Sequence, residues 1–133
     1  MNVVLDTNIF VSGIFWKGEP NRILELWKEG KIQLINSIEI IVEISRILSD
    51  FKIQLSEKHK KEWIHLITIN STIVEPKEKF NIVKDDPTDN KFIDAAVAGK
   101  VKYIVTRDKH LLKIKQFRNT TIITPEEFMK QSF

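Results

Sequence analysis

Residues 2–10 read Asn-Val-Val-Leu-Asp-Thr-Asn-Ile-Phe, and this stretch sets the pattern for the whole chain. Val3, Val4 and Leu5 form a short apolar run typical of a buried strand, and Asp6 follows directly, before a helical pattern over residues 9–15. Further strand patterns lie at residues 32–35, 72–74, 103–106 and 120–123. Helix patterns lie at residues 22–29, 37–48, 56–69, 89–98 and 108–114, and from residue 125 onward. Strands separated by helices predict an α/β fold with a central, mainly parallel sheet of about five strands flanked by helices.

Length and composition predict one ordinary domain. The chain has 133 residues, of which 42% are hydrophobic and 29% are charged. No apolar run approaches the roughly 20 residues that a membrane helix requires. No basic leader precedes Asp6, so we expect no signal peptide, no membrane association and a cytoplasmic location. The absence of cysteine excludes disulfides, thiolate zinc sites and a cysteine nucleophile.

Charge is distributed unevenly along the chain. The 21 basic and 18 acidic residues give a net charge of only +3. Residues 100–118 nevertheless carry seven basic side chains against the single acid Asp108. Just before them, four aspartates fall within ten positions: Asp85, Asp86, Asp89 and Asp94. An acidic centre beside a basic segment predicts a site that acts on a polyanion.

The acids are predicted to meet at one edge of the sheet. Asp6 follows the first strand and Asp108 lies two residues beyond the strand at 103–106, so both lie at the carboxyl ends of parallel strands, where ligands bind in such sheets. Asp89 begins the helix that leads into that second strand. Glu43 interrupts an apolar helix, where a buried carboxylate needs a partner. Several acids in one crevice repel each other unless their pKa values rise or cations bind.

Oxygen ligands without histidine or cysteine favour hard cations, so the expected cofactor is Mg²⁺ or Mn²⁺. Such ions lower the pKa of bound water and stabilise charge during displacement at phosphorus. The basic segment would hold the backbone of a polyanion beside the acids. The reaction that fits this arrangement is phosphodiester hydrolysis.

Four short motifs share this placement on strand ends and helices. They are Asp6-Thr7-Asn8, Ser37 with Glu43 six positions later, Asp86-Pro87-Thr88-Asp89-Asn90, and Thr106-Arg107-Asp108. Together they resemble the PIN domain, and in particular the VapC-type toxin ribonucleases of prokaryotic toxin-antitoxin pairs. The resemblance implies a single PIN domain over residues 1–133, folded as a PIN-like three-layer sandwich. It also implies Mg²⁺ or Mn²⁺ dependence, cleavage of single-stranded RNA, a cognate antitoxin and a homodimer.

The resemblance also assigns roles to individual residues. The family's acidic quartet, which is catalytic and binds metal, falls on Asp6, Glu43, Asp89 and Asp108. The supporting polar residues are Asn8, Thr106, Asp86 and Asn90. The expected RNA-binding residues, Arg107, Lys109, Lys113 and Lys115, come instead from the basic segment around Asp108. Asp86 and Asp94 are alternatives to Asp89 as the third acid. For Asp86 we favour the role of a turn former before Pro87.

Other interpretations of the same residues remain open. Asp6 and Asp108 could simply cap the helices that follow them, and Glu43 could pair with Arg46 on the surface. A PIN fold could also serve as a non-catalytic module that binds nucleic acid or protein. An aspartate-based phosphoryl-transfer domain would instead use Asp6 as a covalent nucleophile.

Overall fold

The structure is a computed structural model and describes residues 1–50, 52–131 and 133. The strands are β1 Asn2–Leu5, β2 Gln33–Asn36, β3 Ser71–Ile73, β4 Tyr103–Val105, β5 Gln116–Phe117 and β6 Thr120–Ile123. The helices are α1 Thr7–Phe15, α2 Glu19–Lys28, α3 Ile38–Leu48, α4 Glu57–Asn70, α5 Asn90–Gly99, α6 Lys109–Leu112 and α7 Pro125–Phe128. A 3-10 turn, Pro87–Asp89, leads directly into α5.

The strands form one sheet in the order β3-β2-β1-β4-β6-β5. Every neighbouring pair is parallel except β5 and β6, which are antiparallel. Helices flank this mostly parallel sheet, which confirms the predicted α/β fold. In the described part of the chain the sheet has six strands rather than about five.

The centre of the sheet also locates the crevice. Val3 and Val4 of β1 are fully buried, because a parallel strand in the middle of such a fold is covered on both faces. The chain leaves β1 toward β2 on one side, while β4 lies on the other side. This reversal of strand order opens a crevice at the carboxyl ends of β1 and β4. Asp6, which follows β1, and the segment 106–108, which follows β4, therefore lie at its rim.

One glycine allows α5 to pack closely on this sheet. A Cβ atom on Gly99 would lie 2.6 Å from Cγ2 of Ile35 in β2. Because Ile35 is buried and its branched side chain is stiff, no larger residue fits at position 99 without movement of α5. The close approach fixes the helix that directly follows Asp89 and the 3-10 turn.

Several elements differ from the sequence prediction. The short strand β5 was not predicted, since two residues give no periodic pattern. Helix α2 begins at Glu19 rather than at residue 22, because Pro20 fits the first turn of a helix. Helix α6 ends at Leu112 rather than at residue 114. No helix in the described part of the chain is long and apolar enough to cross a lipid bilayer.

Candidate metal centre

Asp6 joins the end of β1 to the start of α1. Its backbone N–H donates to the carbonyl of Val105, and its Oδ1 accepts the N–H of Asn8 at 3.1 Å, which caps α1. Its Oδ2 accepts the hydroxyl of Thr106 at 2.6 Å. The residue is only 4% exposed. Burial raises the pKa of Asp6, the hydrogen bonds from Thr106 and Asn8 oppose the rise, and the charges of Asp108 and Glu43 add to it.

Thr106 connects Asp6 to Asp108. The Thr106 hydroxyl, which donates to Asp6, accepts the backbone N–H of Asp108 at 2.9 Å. Asp108 in turn caps α6, because its Oδ1 accepts the N–H of His110 at 2.8 Å. Both aspartates therefore cap the helices that follow them, which was one of the two roles considered for them from the sequence. They also lie at the same edge of the sheet, as the site interpretation required.

Three carboxylates converge beside this edge. Asp86, Asp89 and Asp108 each place one carboxylate oxygen within 4.8 Å of the others. The 3-10 turn causes this convergence, since it brings Asp86 back toward the start of α5 while Thr88 Oγ1 donates to Asp86 Oδ1 at 2.7 Å. Asp86 is therefore a turn residue, as we favoured, and also a member of the acidic cluster.

The cluster is electrostatically unbalanced. Burial raises the pKa of Asp89 to about 8, and hydrogen bonding to Asp108 and the charges of Asp108, Asp6 and Asp86 contribute to the rise. Burial also acts on Asp108, but its hydrogen bonds with Asp89 and with the N–H of His110 lower its pKa overall. When no cation is bound, the raised pKa of Asp89 and the lowered pKa of Asp108 favour a protonated Asp89 beside an ionised Asp108.

Asp89 also has an unsatisfied oxygen. The residue is 7% exposed, and Oδ2 is the one buried side-chain nitrogen or oxygen without a hydrogen-bond partner among the described residues. An unpaired buried acceptor costs free energy, and its ionised form costs more. A cation bound between Asp86, Asp89 and Asp108 would satisfy this atom and remove the need for the shared proton. The all-oxygen donor set fits Mg²⁺ or Mn²⁺.

Glu43 has a different environment from the aspartates. Its Oε2 accepts the hydroxyl of Thr7 at 3.2 Å and lies 2.7 Å from Nζ of Lys91, whereas Arg46 lies 4.0 Å from Oε1. Sequence reasoning missed Lys91. The sequence did contain one signal: Lys91 lies in the first turn of α5, where a positive charge interacts unfavourably with the helix dipole. A lysine at such a position suggests a specific anionic partner.

The remaining supporting residues are dispersed. The amide side chain of Asn90 is buried, and it accepts from the N–H groups of Ile82 and Val83 and donates to the carbonyls of Val83 and Pro87. Asn90 therefore holds the loop before the 3-10 turn and does not reach the acids. Asn8 is exposed, and its backbone N–H rather than its side chain meets Asp6.

Asp94 faces away from the crevice. Its Oδ1 accepts the backbone N–H of Phe80 at 2.8 Å, and the charges that act on it are those of Lys79 and Glu39. Burial raises the pKa of Asp94, and the Phe80 hydrogen bond opposes this effect. It is therefore not a neighbour of the acidic cluster, in contrast to Asp86.

The predicted RNA-binding residues are all near α6 but differ in availability. Arg107 donates to both carboxylate oxygens of Glu126, at 3.0 and 3.3 Å, and Lys113 pairs with Asp85. Lys109 and Lys115 are exposed and form no ion pair within the part of the chain that the structure describes.

Comparison with solved structures shows the same fold. A chain of the VapBC2 complex from Rickettsia felis, bound to a DNA fragment from its promoter, superposes with a TM-score of 0.62 and 16% sequence identity. This match covers 93% of the present chain and 98% of that chain. A chain of FitAcB from Neisseria gonorrhoeae gives a TM-score of 0.53 and 12% identity, and the match covers 93% and 98% of the two chains.

Sequence comparison shows the family. Among curated protein sequences, none is significantly similar to this chain. The family model described as the PIN domain matches residues 2–110, which include the acids at positions 6, 43, 86, 89 and 108. On this evidence, the chain belongs to the PIN domain family.

Proposed function

We propose that this protein is a metal-dependent endoribonuclease that cleaves single-stranded RNA and serves as the toxin of a toxin-antitoxin pair. The observation that carries the proposal is the convergence of Asp86, Asp89 and Asp108 around an unpaired buried carboxylate oxygen. A domain that only binds phosphates gains nothing from clustered negative charge. The phosphoryl-transfer alternative needs a free Asp6 nucleophile, whereas both Asp6 oxygens already accept hydrogen bonds.

Asp86, Asp89 and Asp108 would hold Mg²⁺ or Mn²⁺. Asp6, which is linked to Asp108 through Thr106, would add a further negative charge near the ion. The ion supplies activation of water and stabilisation of negative charge at phosphorus. The protein supplies rigid placement, because Asp6 and Asp108 are each fixed by a helix cap and by Thr106. Glu43 is the carboxylate available to orient water at the edge of this centre.

RNA would approach along α6. Lys109 at the start of α6 and Lys115 just after its end offer exposed ammonium groups that can contact the phosphate backbone. Arg107 and Lys113 would have to exchange Glu126 and Asp85 for phosphate, so they would bind RNA only at the cost of these ion pairs. We therefore assign the larger share of backbone binding to Lys109 and Lys115.

A protein partner belongs to the same proposal. The matched structures include VapBC2 and FitAB, both bound to DNA fragments, with TM-scores of 0.62 and 0.52. We infer a cognate antitoxin, a homodimeric toxin and action in the cytoplasm, with residues 1–133 acting as one PIN domain. An antitoxin that remains bound would block cleavage, so the protein should be refolded from denaturant before assay.

The test is cleavage of labelled single-stranded RNA by the refolded protein with Mn²⁺, Mg²⁺ or EDTA. We expect metal-dependent cleavage that leaves 5′-phosphate and 3′-hydroxyl ends and is lost in Asp6→Asn and Asp89→Asn. Asp85→Asn is the matched control, since Asp85 pairs with Lys113 outside the cluster. Cleavage that persists in EDTA would refute the metal mechanism, and cleavage that persists in Asp89→Asn alone would refute the assignment of Asp89 as the third acid. Absence of cleavage by the folded wild type would favour the binding-module alternative.

A further inference from the structure

A lysine ammonium lies inside the acidic crevice. Lys91 follows Asn90 in the first turn of α5, and its side chain is 12% exposed. Its Nζ lies 2.7 Å from Glu43 Oε2 and donates to the carbonyl of Thr88 at 2.8 Å. Thr88 lies between Asp86 and Asp89 in the chain, so the ammonium joins α3 to the 3-10 turn that follows Asp86 and ends at Asp89.

The acids of the crevice fall into two groups according to whether they have an ion-pair partner. Glu43 has Lys91 as a close ion-pair partner at 19% exposure of its side chain. Within the described residues, no ion pair involves any of the aspartates Asp6, Asp86, Asp89 and Asp108. A carboxylate that already has a buried cationic partner gains less from a divalent ion than one that has none. The divalent ion should therefore go to the aspartates.

The pair also fixes the orientation of Glu43. Lys91 and Thr7 both contact Oε2, so this oxygen is occupied. Among the residues that the structure describes, the one ion-pair partner of Oε1 is Arg46, at the long distance of 4.0 Å and with 73% of the arginine side chain exposed. One oxygen is thus held by the protein and the other remains available to solvent or substrate.

We propose that Lys91 is the resident counter-cation and positioning residue of Glu43, which leaves the divalent ion to the aspartates. Glu43 is on this account a fixed, charge-balanced acceptor and not a metal ligand. The inference rests on the proposed function, because the ion concerned is that of the nuclease. The resemblance assigned metal binding to all four acids of the quartet. The present proposal assigns it to the aspartates and pairs Glu43 with Lys91.

The first test measures Mn²⁺ affinity by calorimetry, without RNA, in a charge cycle. Lys91→Gln leaves Glu43 unpaired and adds one negative charge, so Mn²⁺ should bind about threefold to tenfold more tightly. Glu43→Gln leaves the ammonium uncompensated, so Mn²⁺ should bind more weakly by about the same factor. The double variant is neutral again and should bind Mn²⁺ within about twofold of the wild type.

Two results would overturn the proposal. If Glu43 is itself a ligand, the double variant will bind Mn²⁺ as weakly as Glu43→Gln. If Lys91 only supports the fold, Lys91→Gln will weaken Mn²⁺ binding together with thermal stability. Should Lys91→Gln not fold, Lys91→Met tests the same expectation. In the wild type, Nζ of Lys91 lies 5.3 Å from the centroid of the Phe92 ring, and the apolar methionine side chain can pack against that ring. Lys91→Arg keeps the charge and should leave Mn²⁺ affinity within about twofold.

RNA cleavage gives the second readout. Lys91→Gln should lower kcat at saturating Mn²⁺ at least about tenfold despite its tighter metal binding, and Lys91→Arg should recover part of the loss. Lys79→Gln is the matched control, since it removes an ion pair with Glu39 on the exposed end of the same helix α3 and should change neither readout. If the wild type binds Mn²⁺ but cleaves no RNA, the proposed function fails, whereas the charge cycle still decides the role of Lys91.

Discussion

Replacing Asp89 by asparagine is expected to stabilise the metal-free protein. The asparagine side chain is nearly isosteric with that of aspartate and can donate to Asp108, as the protonated carboxyl does. It carries no charge, so it avoids the repulsion that Asp6, Asp86 and Asp108 exert on an ionised Asp89. The substitution would therefore remove a functional group and improve the stability of the fold at the same time.

The size of the gain follows from the pKa of Asp89. This pKa rises from 3.8 to about 8 in the folded protein, and each pKa unit corresponds to about 1.4 kcal/mol. Full ionisation within a rigid site would thus cost about 6 kcal/mol. Because Asp86 and Asp108 are partly exposed, solvent screens their charges and they can relax, so we expect about 1–3 kcal/mol at pH 8.5. For a chain of this size, that gain raises Tm by about 3–10 °C.

The sign of the pH dependence is fixed by linkage. Between pH 4 and 8 the folded protein holds a proton on Asp89 that the unfolded chain has released, so the free energy of unfolding falls as pH rises through this window. An asparagine at this position does not titrate, so the variant lacks this dependence. The stability difference between Asp89→Asn and the wild type should thus be smallest at pH 4.5 and largest above pH 8.

The assay is thermal unfolding in EDTA and in Mn²⁺ from pH 4.5 to 8.5. An ion at one hundred times its Kd would stabilise the wild type by about 2.7 kcal/mol, whereas the variant should gain little, so the order of stability reverses on metal addition. Asp85→Asn is the control and should give no gain, because the ion pair with Lys113 lowers the pKa of Asp85. A variant less stable than the wild type in EDTA at pH 8.5, or a difference that does not change with pH, would refute the reasoning.

Three further substitutions test the supports of the site. Asn90→Ala removes four hydrogen bonds, two of them buried, and should lower the free energy of unfolding by about 2–4 kcal/mol in urea denaturation; a change below about 0.5 kcal/mol would show that the loop does not depend on it. Gly99→Ala places a Cβ 2.6 Å from Ile35 and should cost about 1–3 kcal/mol in thermal melts, unless α5 shifts freely. Thr106→Val removes the hydrogen bond that lowers the pKa of Asp6, so a carboxyl carbon NMR titration should show that pKa rising further; an unchanged value would contradict the assigned role of the hydroxyl.

The order of the elements could be predicted because each buried strand has its own apolar run. Val3-Val4-Leu5 and the strand that begins at Tyr103 are bounded by polar residues, and their parallel pairing follows from the helices between them. Strand β5 could not be predicted, because two residues have no period and pair only once β6 is in place. The start of α2 depends on the geometry of Pro20, which periodicity does not detect.

Placement of the acids was predictable to different degrees. Asp6 and Asp108 follow parallel strands, so sheet topology alone brings them to one edge. The inclusion of Asp86 depends on the 3-10 turn, whose geometry is set by three-dimensional contacts of Asn90 and not by spacing. The Lys91 contact with Glu43 joins residues 48 positions apart on two helices, so the local sequence can mark Lys91 as unusual in a first helical turn but cannot identify Glu43 as its partner.

The acids also differ in how much they contribute to the stability of the fold. Asp6 and Asp108 cap helices α1 and α6, so part of the cost of their clustering is offset by local structure. Asp89 stands at the N-terminal end of α5 but makes no side-chain capping bond, and one of its oxygens is buried without a partner. Folding alone would favour asparagine or serine at this position. On the proposed function, a buried acid that weakens the fold is accounted for by a divalent cation, whose charge and coordination preference would meet the need of this carboxylate.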